Sequence, residues 1–353
     1  MKFRETIEVI DFFSGCGGTS CGFEAAGHSI IGGLDNDPDA AETFKLNFPK
    51  AQFLLGDVRD IDAEELAPII GARSAPLLFA GCAPCQPFSR QNKTSDHTDP
   101  RRSLLQEFAR FVERWEPEYI FIENVPGMQK ARETGPLDLF LSTLRRLEYH
   151  FDVRVVPALW YGVPQTRERL VLVASKLAPI SVPAATHGPS ADLSPYTTVR
   201  DWIADLPVIA AGGFHPEDPE HRSASLSELN LERIKATPEG GDRRSWPKKL
   251  WLNCHKEYGG HTDVYGRLAW DKPAAGLTTR CISYSNGRFG HPEQHRAISL
   301  REAASLQTFP RSYRFVGTMS SRAKQIGNAV PPLMSQVFGE QYKKHYIMAS
   351  KKN

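Results

Sequence analysis

Two cysteines, Cys82 and Cys85, lie in the stretch AGCAPCQPFS. Three chemistries use such a C-x-x-C pair: a zinc site, a redox couple, or a single reactive thiolate in a stiff loop. Zinc needs a second pair of ligands, and the one adjacent Cys/His pair elsewhere is the solitary Cys254–His255. A redox pair wants its first cysteine at a helix N-terminus, but Pro87 and Phe88 follow here, and the polar stretch SRQNKTSDHTDPRR has no apolar periodicity. In the third reading Pro84 and Pro87 stiffen the backbone around Cys85, Gln86 stands beside it, and the thiolate is a nucleophile. No metal is expected. The polar run from Gln86 through Ser89 and Arg90 to Arg102 reads as a loop able to close over a phosphate backbone.

Two further groups carry charge at the ends of apolar runs. YIFIENVPGM puts Glu123 and Asn124 at the end of a strand, where a carboxylate is either desolvated and functional or bonded into a turn. VPQTRERLVLVA places Gln165, Arg167 and Arg169 at alternate positions, on one face if the segment is extended. Each feature alone is more often an ion pair than a catalyst.

A glycine loop, DFFSGCGGTSCGFEAAG, follows the first apolar run. Gly15, Gly17 and Gly18 permit a sharp turn and close approach of a ligand, although the spacing is not the strict dinucleotide pattern. Asp35 follows about twenty residues on, where a ribose-binding acid belongs. Asp57 ends the next apolar run. Acids at successive strand ends suit a nucleoside with free hydroxyls and an amino group better than a pyrophosphate, which favours helix N-termini and cations. S-adenosylmethionine fits that description; the competing reading makes Asp35 and Asp57 turn or cap residues.

These residues need a scaffold that brings strand ends together. IEVIDFF, HSIIGGLD, AQFLLGD, APLLFAG and PEYIFIEN read as buried strands, and AAETFKLNF, AEELAPIIG and SLLQEFARFVERW between them as helices. Near-continuous apolar runs alternating with helices predict a doubly wound, parallel α/β sheet. FDVRVVPA and RERLVLVASK add two late strands, and PPLMSQVFGEQYKKHYI a proline-opened helix. Residues 178 to 262 are rich in Pro, Gly, Ser and charge, and predict a smaller irregular domain. The expected division is 1–180 completed by 321–347, with 181–320 as the second domain.

The net charge is only +2, so a nucleic-acid surface must be a local patch. NLERIKATPEGGDRRSWPKKLWLNCHKEYGG supplies one: Arg233, Lys235, Arg243, Arg244, Lys248, Lys249 and Lys256 outnumber the acids there, with tryptophans interleaved. Gly240 and Gly241 beside Arg243 and Arg244 suggest a loop tip entering a groove; the competing reading is a solvated basic face over core tryptophans. No run is long and apolar enough to span a membrane. A cytosolic location in a reducing compartment is expected from the sparse cysteines and the absence of a signal-like N-terminus.

Cys85 in PCQ, Glu123 in ENV, and Arg167 with Arg169 in Q-x-R-x-R stand in that order after an adenosine-type loop. With RLAWDKPAAGLTTR and QIGNAVPPL further on, the chain closely resembles the C5-cytosine DNA methyltransferase family over roughly 7–176 and 263–345. The resemblance implies a Rossmann-like, S-adenosylmethionine-dependent sheet with an irregular target-recognition domain. It implies Cys85 as the nucleophile at cytosine C6, Glu123 at N3, and Arg169 near O2 with Arg167 in support. It assigns the cofactor site to Phe13, Gly15, Gly17, Asp35, Asn36, Asp57, Val58, Pro84 and Asn328. Asn36 stands where some members place an aromatic over adenine, and Ala329 where many have serine. DNA contacts are expected from Gln86, Ser89, Arg90, Arg243, Arg244 and Arg280.

Double-stranded DNA is the expected partner, bound by a monomer, with a cognate restriction endonuclease acting at the same site without direct contact as a further one. The related tRNA methyltransferase branch shares these motifs, but the basic insert and the missing C-F-T signature favour DNA. A catalytically silent DNA-binding relative is the remaining alternative, which intact Cys85, Glu123 and Arg169 oppose.

Overall fold

The computed structural model describes residues 5–83, 104–130, 135–253 and 263–351. The chain divides into two compact units: 1–161 with 168–185 and 330–353, and 162–167 with 186–329. These breaks fall beside the expected ones at 180/181 and 320/321, and residues 321–329 group with the second unit.

The first unit is built on seven strands: β1 (Glu8–Phe12), β2 (Ser29–Asp35), β3 (Gln52–Leu55), β4 (Leu77–Gly81), β5 (Tyr119–Asn124), β6 (His150–Pro157) and β7 (Glu168–Ser175). Their order is β3-β2-β1-β4-β5-β7-β6. The first five pair in parallel, as the apolar runs predict. β7 then inserts antiparallel between β5 and β6, so the two late strands join as a hairpin in reversed spatial order. The helices are α1 (Gly18–Ala25), α2 (Pro38–Asn47), α3 (Ala67–Ile70), α4 (Leu104–Trp115) and α5 (Pro136–Arg146). The run AEELAPIIG is not one helix: a 3-10 turn at Ala63–Leu66 is capped by Asp62 and gives way to the four-residue α3, with Pro68 in its first turn.

Beneath the sheet's front edge Phe12 meets Phe79, Phe108 and Phe111, each with ring centroids 5.0 Å away. Burying each of these rings contributes about 2–3 kcal/mol. The C-terminal helix Pro332–Ser350 (α10) packs on α1 through glycines. A Cβ on Gly22 would lie 2.2 Å from Pro332 O, and one on Gly339 would lie 2.7 Å from Ala26 Cβ. Tyr342 of α10 donates to Ile120 O at 2.6 Å, tying the helix to the central sheet.

The second unit has little regular structure: α6 (Val199–Ile203), the hairpin β8 (Phe214–His215) and β9 (Asp218–Arg222), α7 (Glu228–Lys235), α8 (Leu300–Leu306) and α9 (Met319–Asn328). Its small apolar cluster of Ile234, Tyr284 and Ala297 is supplemented by buried arginines. Arg267, 2% exposed, donates to the carbonyls of Ile234, Thr237, His291 and Gln294. Arg296 forks onto Glu302 at 2.7 and 2.6 Å, both buried. Where helices and strands do not satisfy the backbone, guanidinium groups do.

Candidate active site

All five parallel strands end on one edge of the sheet. β1 pairs with β2 on one side and β4 on the other, so its carboxyl end is the topological switch point, where such sheets place their ligand crevice. The chain leaves β1 through Phe13, held at φ 54, and turns through Gly15 at φ 50 and Gly17 at φ 88 into α1. A non-glycine residue in the left-handed region is strained, and such strain concentrates at functional turns. Among the described residues, none comes within 4 Å of where a Gly15 Cβ would stand.

Asp35, at the end of β2, organises that loop. Its Oδ2 accepts from Gly15 N at 2.8 Å and its Oδ1 from Asp37 N at 2.9 Å. The turn reading and the ligand reading are thus compatible: the carboxylate braces the glycine loop while standing at the crevice. Burial raises its pKa, against the backbone N–H bonds. Asn36 is exposed beside it. Asp57, beyond β3, is bidentate with Arg59 at 2.9 and 2.5 Å, which holds its carboxyl below the usual range. Val58 is buried, and its carbonyl accepts from Arg110 Nη2 at 3.0 Å.

Sequence reasoning passed over Asp11. It lies in β1, fully buried, with Oδ2 accepting from Ser20 Oγ at 2.7 Å. Its Oδ1 has no hydrogen-bond partner among the described residues. Burial pushes its pKa up to about 7, and the neighbouring Asp35 charge adds to the shift. The signal was present in the sequence: an aspartate inside an apolar strand run has to be explained.

Cys82 follows β4. Its sulfur lies 3.5 Å from Thr19 Oγ1, and burial together with the charges of Glu123 and Asp11 pushes its thiol pKa far up. Cys85, Pro84, Gln86, Ser89 and Arg90 lie outside the described residues.

Glu123 is 9% exposed near the end of β5. In the β5–β7 register it faces Val171, which makes Arg169 its diagonal neighbour on the same face. Arg169 Nε lies 2.5 Å from Glu123 Oε1. Asn124 donates to Ala83 O at 3.1 Å and accepts from Val125 N at 2.7 Å, fastening the end of β5 to the exit of β4. Glu123 is thus neither a bare desolvated acid nor a turn residue: it is buried and countered by a guanidinium.

The remaining expected residues belong to the second unit. Gln165 is fully buried, donating to Leu306 O and Gln307 Oε1 and accepting from Leu277 N. Arg167, 7% exposed, donates to the same Gln307 Oε1 at 3.2 Å. Asn328 closes α9 and is exposed. One residue earlier, a Cβ on Gly327 would lie 2.0 Å from Thr278 O, so the L-T-T-R and I-G-N segments meet backbone to backbone. Arg280 is exposed, Arg243 is buried and Arg244 is exposed. Arg233, counted in the basic patch, is buried over Trp246 and Tyr265 at 5.1 and 5.4 Å.

Comparison with known proteins was made with this geometry in hand. The model of the C-5 cytosine-specific DNA methylase family matches residues 7–344. A Type II methylase of Herpetosiphon aurantiacus, M.HgiDII, is 41% identical over 342 residues, covering 95% of each chain. The Type II methyltransferase M1.HphI of Haemophilus parahaemolyticus is 32% identical, covering 95% of this chain and 86% of its own. Among solved structures, Entamoeba histolytica methyltransferase EhMeth aligns with a TM-score of 0.65 at 17% identity, over 97% of this chain and 99% of its own. At that identity the likeness speaks for the fold.

Proposed function

The chain belongs to the C-5 cytosine-specific DNA methylase family, and from that premise we propose that it methylates C5 of a flipped-out cytosine at one short duplex sequence through a Cys85–C6 adduct. Supporting this most directly is the Glu123–Arg169 pair, buried at the same sheet edge as the glycine loop. As a family member with Type II methylase relatives, it is a DNA (cytosine-5) methyltransferase. The first unit is the catalytic and cofactor domain in this reading, and the second recognises the target.

The chemistry needs this set of groups because cytosine C5 is a poor carbon nucleophile. The Cys85 thiolate forms a bond to C6 and sends an electron pair toward N3 and O2. Glu123 meets the charge at N3 by hydrogen bonding or proton donation. Arg169 stands near O2 and favours the thiolate over the thiol. C5 is then nucleophilic. Loss of the C5 proton after methylation expels the cysteine sulfur and restores the ring and the thiolate. Removing the base from the stack costs a few kcal/mol, which contacts to DNA offset.

S-adenosylmethionine, when bound, supplies the methyl group. The residues present fit it: among the described residues nothing crowds Gly15 and nothing bonds the buried Asp11 Oδ1, and Asp35 supplies an acid for hydroxyls at the same loop. Phe13, Gly17, Asn36, Asp57, Val58, Pro84 and Asn328 complete the proposed cofactor site, with Arg167 supporting Arg169. A monomer acting on cytoplasmic DNA suffices, and a restriction endonuclease cutting the same sequence would be its functional partner. The helices described here include none long and apolar enough to cross a membrane.

The test is nucleoside mass spectrometry of DNA and tRNA incubated separately with the purified protein and S-adenosylmethionine. Expected is 5-methyldeoxycytidine in DNA only, absent with Cys85→Ser. Methylated tRNA with unmodified DNA would place the chain in the tRNA branch; neither product would mark a silent binder.

A further inference from the structure

In the second unit, Arg243 and Arg244 open a 3-10 turn, Arg243–Ser245, capped by Asp242. The side chain of Arg244 is 71% exposed, yet it is firmly held. Its Nε and Nη2 donate in parallel to Asp242 Oδ1 at 2.9 Å and Oδ2 at 2.7 Å, and its backbone N donates to Oδ1 at 2.9 Å. Asp242 is itself 4% exposed, with Arg288 Nη2 3.5 Å from Oδ2. Arg288 Nη1 reaches the carbonyls of Gly240 and Gly241 at 2.8 Å each and that of Arg267 at 3.2 Å. Gly240 N also donates to Leu268 O at 3.1 Å, and Gly241 O accepts from Arg267 N at 3.0 Å. The loop that carries Arg244 is thus pinned on both sides.

The pairing leaves one edge of the guanidinium to use. Nε and Nη2 face Asp242, whereas Nη1 makes no hydrogen bond among the described residues. The Nη1–Nη2 edge offers two parallel donors, the pattern that matches guanine O6 and N7. Charge separates this role from phosphate binding. Asp242 balances Arg244 and Asp263 balances Arg288, so the cluster has little net attraction for a phosphate while keeping its directional donors. The ordering that an exposed arginine would otherwise undergo on binding is already complete.

We propose that Arg244, aimed by Asp242 and braced through Arg288, reads one guanine of the target sequence in the major groove. Asp242 is a positioning residue in this scheme. The inference rests on the DNA methyltransferase reading and adds a base-reading residue to it.

The test is a base-resolution cytosine-methylation map of plasmid DNA from cells expressing wild type, Arg244→Ala, Arg244→Lys or Asp242→Asn. With Arg244→Ala, preference for guanine at one motif position should fall roughly tenfold or more, so that sites differing only there become methylated. Arg244→Lys should relax the same position although it keeps the charge, because the fork is lost. Asp242→Asn should relax that position too, to a smaller extent. An unchanged motif in all variants overturns the proposal and leaves the methyltransferase reading intact. A uniform loss at every site with Arg244→Ala, restored by Arg244→Lys, also overturns it and identifies a phosphate contact. Absence of methylation by the wild type overturns both.

Discussion

The carboxyl edge of the sheet and the unit formed by 162–167 and 186–329 use the same residue types for different purposes. At the sheet edge the strands bond to one another, and register places Asp35 at the end of β2 and Glu123 diagonally opposite Arg169, so these charges meet the glycine loop and each other. In the second unit few strands or helices exist, and Arg267, Arg296 and Arg301 are buried to hold carbonyls and carboxylates. A charged residue therefore means different things in the two regions. In a regular fold a buried charge is a candidate for chemistry; in an irregular one it is more often a substitute for secondary structure.

The contrast can be broken from either side. The largest effect is expected at the sheet edge. Glu123→Gln should lower kcat by roughly a hundred- to ten-thousandfold, read as the methyl-transfer rate at saturating DNA. A loss below tenfold would remove Glu123 from the chemistry. Because Gln can still accept from Arg169, the thermal midpoint should move far less than the rate.

Arg267→Ala should do the reverse. Removing the guanidinium takes the donor from the buried carbonyls of Thr237 and His291, at about 3 kcal/mol or more, so urea unfolding should show a large loss of stability, and Arg267→Lys should not restore it. A variant of unaltered stability but altered DNA affinity would turn Arg267 into a surface reader and erase the distinction.

Asp11 sharpens the comparison, since it is a buried acid inside the regular region. Its folded pKa of about 7 lies above its unfolded value of 3.8. Between those values the folded state binds the extra proton, so this group's contribution to stability declines as pH rises toward 7 and is constant above it. The slope is at most about 1.4 kcal/mol per pH unit. Asp11→Asn should therefore gain on wild type progressively from pH 4 to 7, as measured by urea midpoints. A difference independent of pH would show that Asp11 is ionised throughout.

Legibility in the sequence followed the same division. The five parallel strands could be read because each is an apolar run bounded by glycine or acid, and the strand-end residues came with them. The insertion of β7 between β5 and β6 could not be read, since a hairpin's spatial order depends on partners far along the chain. Asp35 was legible as a strand-end acid, but its hold on Gly15 N needed the fold. The basic segment read as one positive patch. Only the fold separates Arg233, buried on α7 over two rings, from Arg244, exposed on its aspartate, because an eight-residue helix and the turn beyond it carry too short an apolar pattern for burial to be inferred.

The central claim is that a cysteine outside the described residues acts on a base held by groups at the sheet edge. A duplex with 5-fluorocytosine at the mapped target position tests it most directly, because fluorine cannot leave as a proton does and the adduct is trapped. Wild-type protein with S-adenosylmethionine should give a complex stable in detergent, with the DNA linked to the peptide containing Cys85, and Cys85→Ser should give none. A complex that persists in Cys85→Ser, or wild-type methylation of normal DNA with no trapped species, would contradict the account.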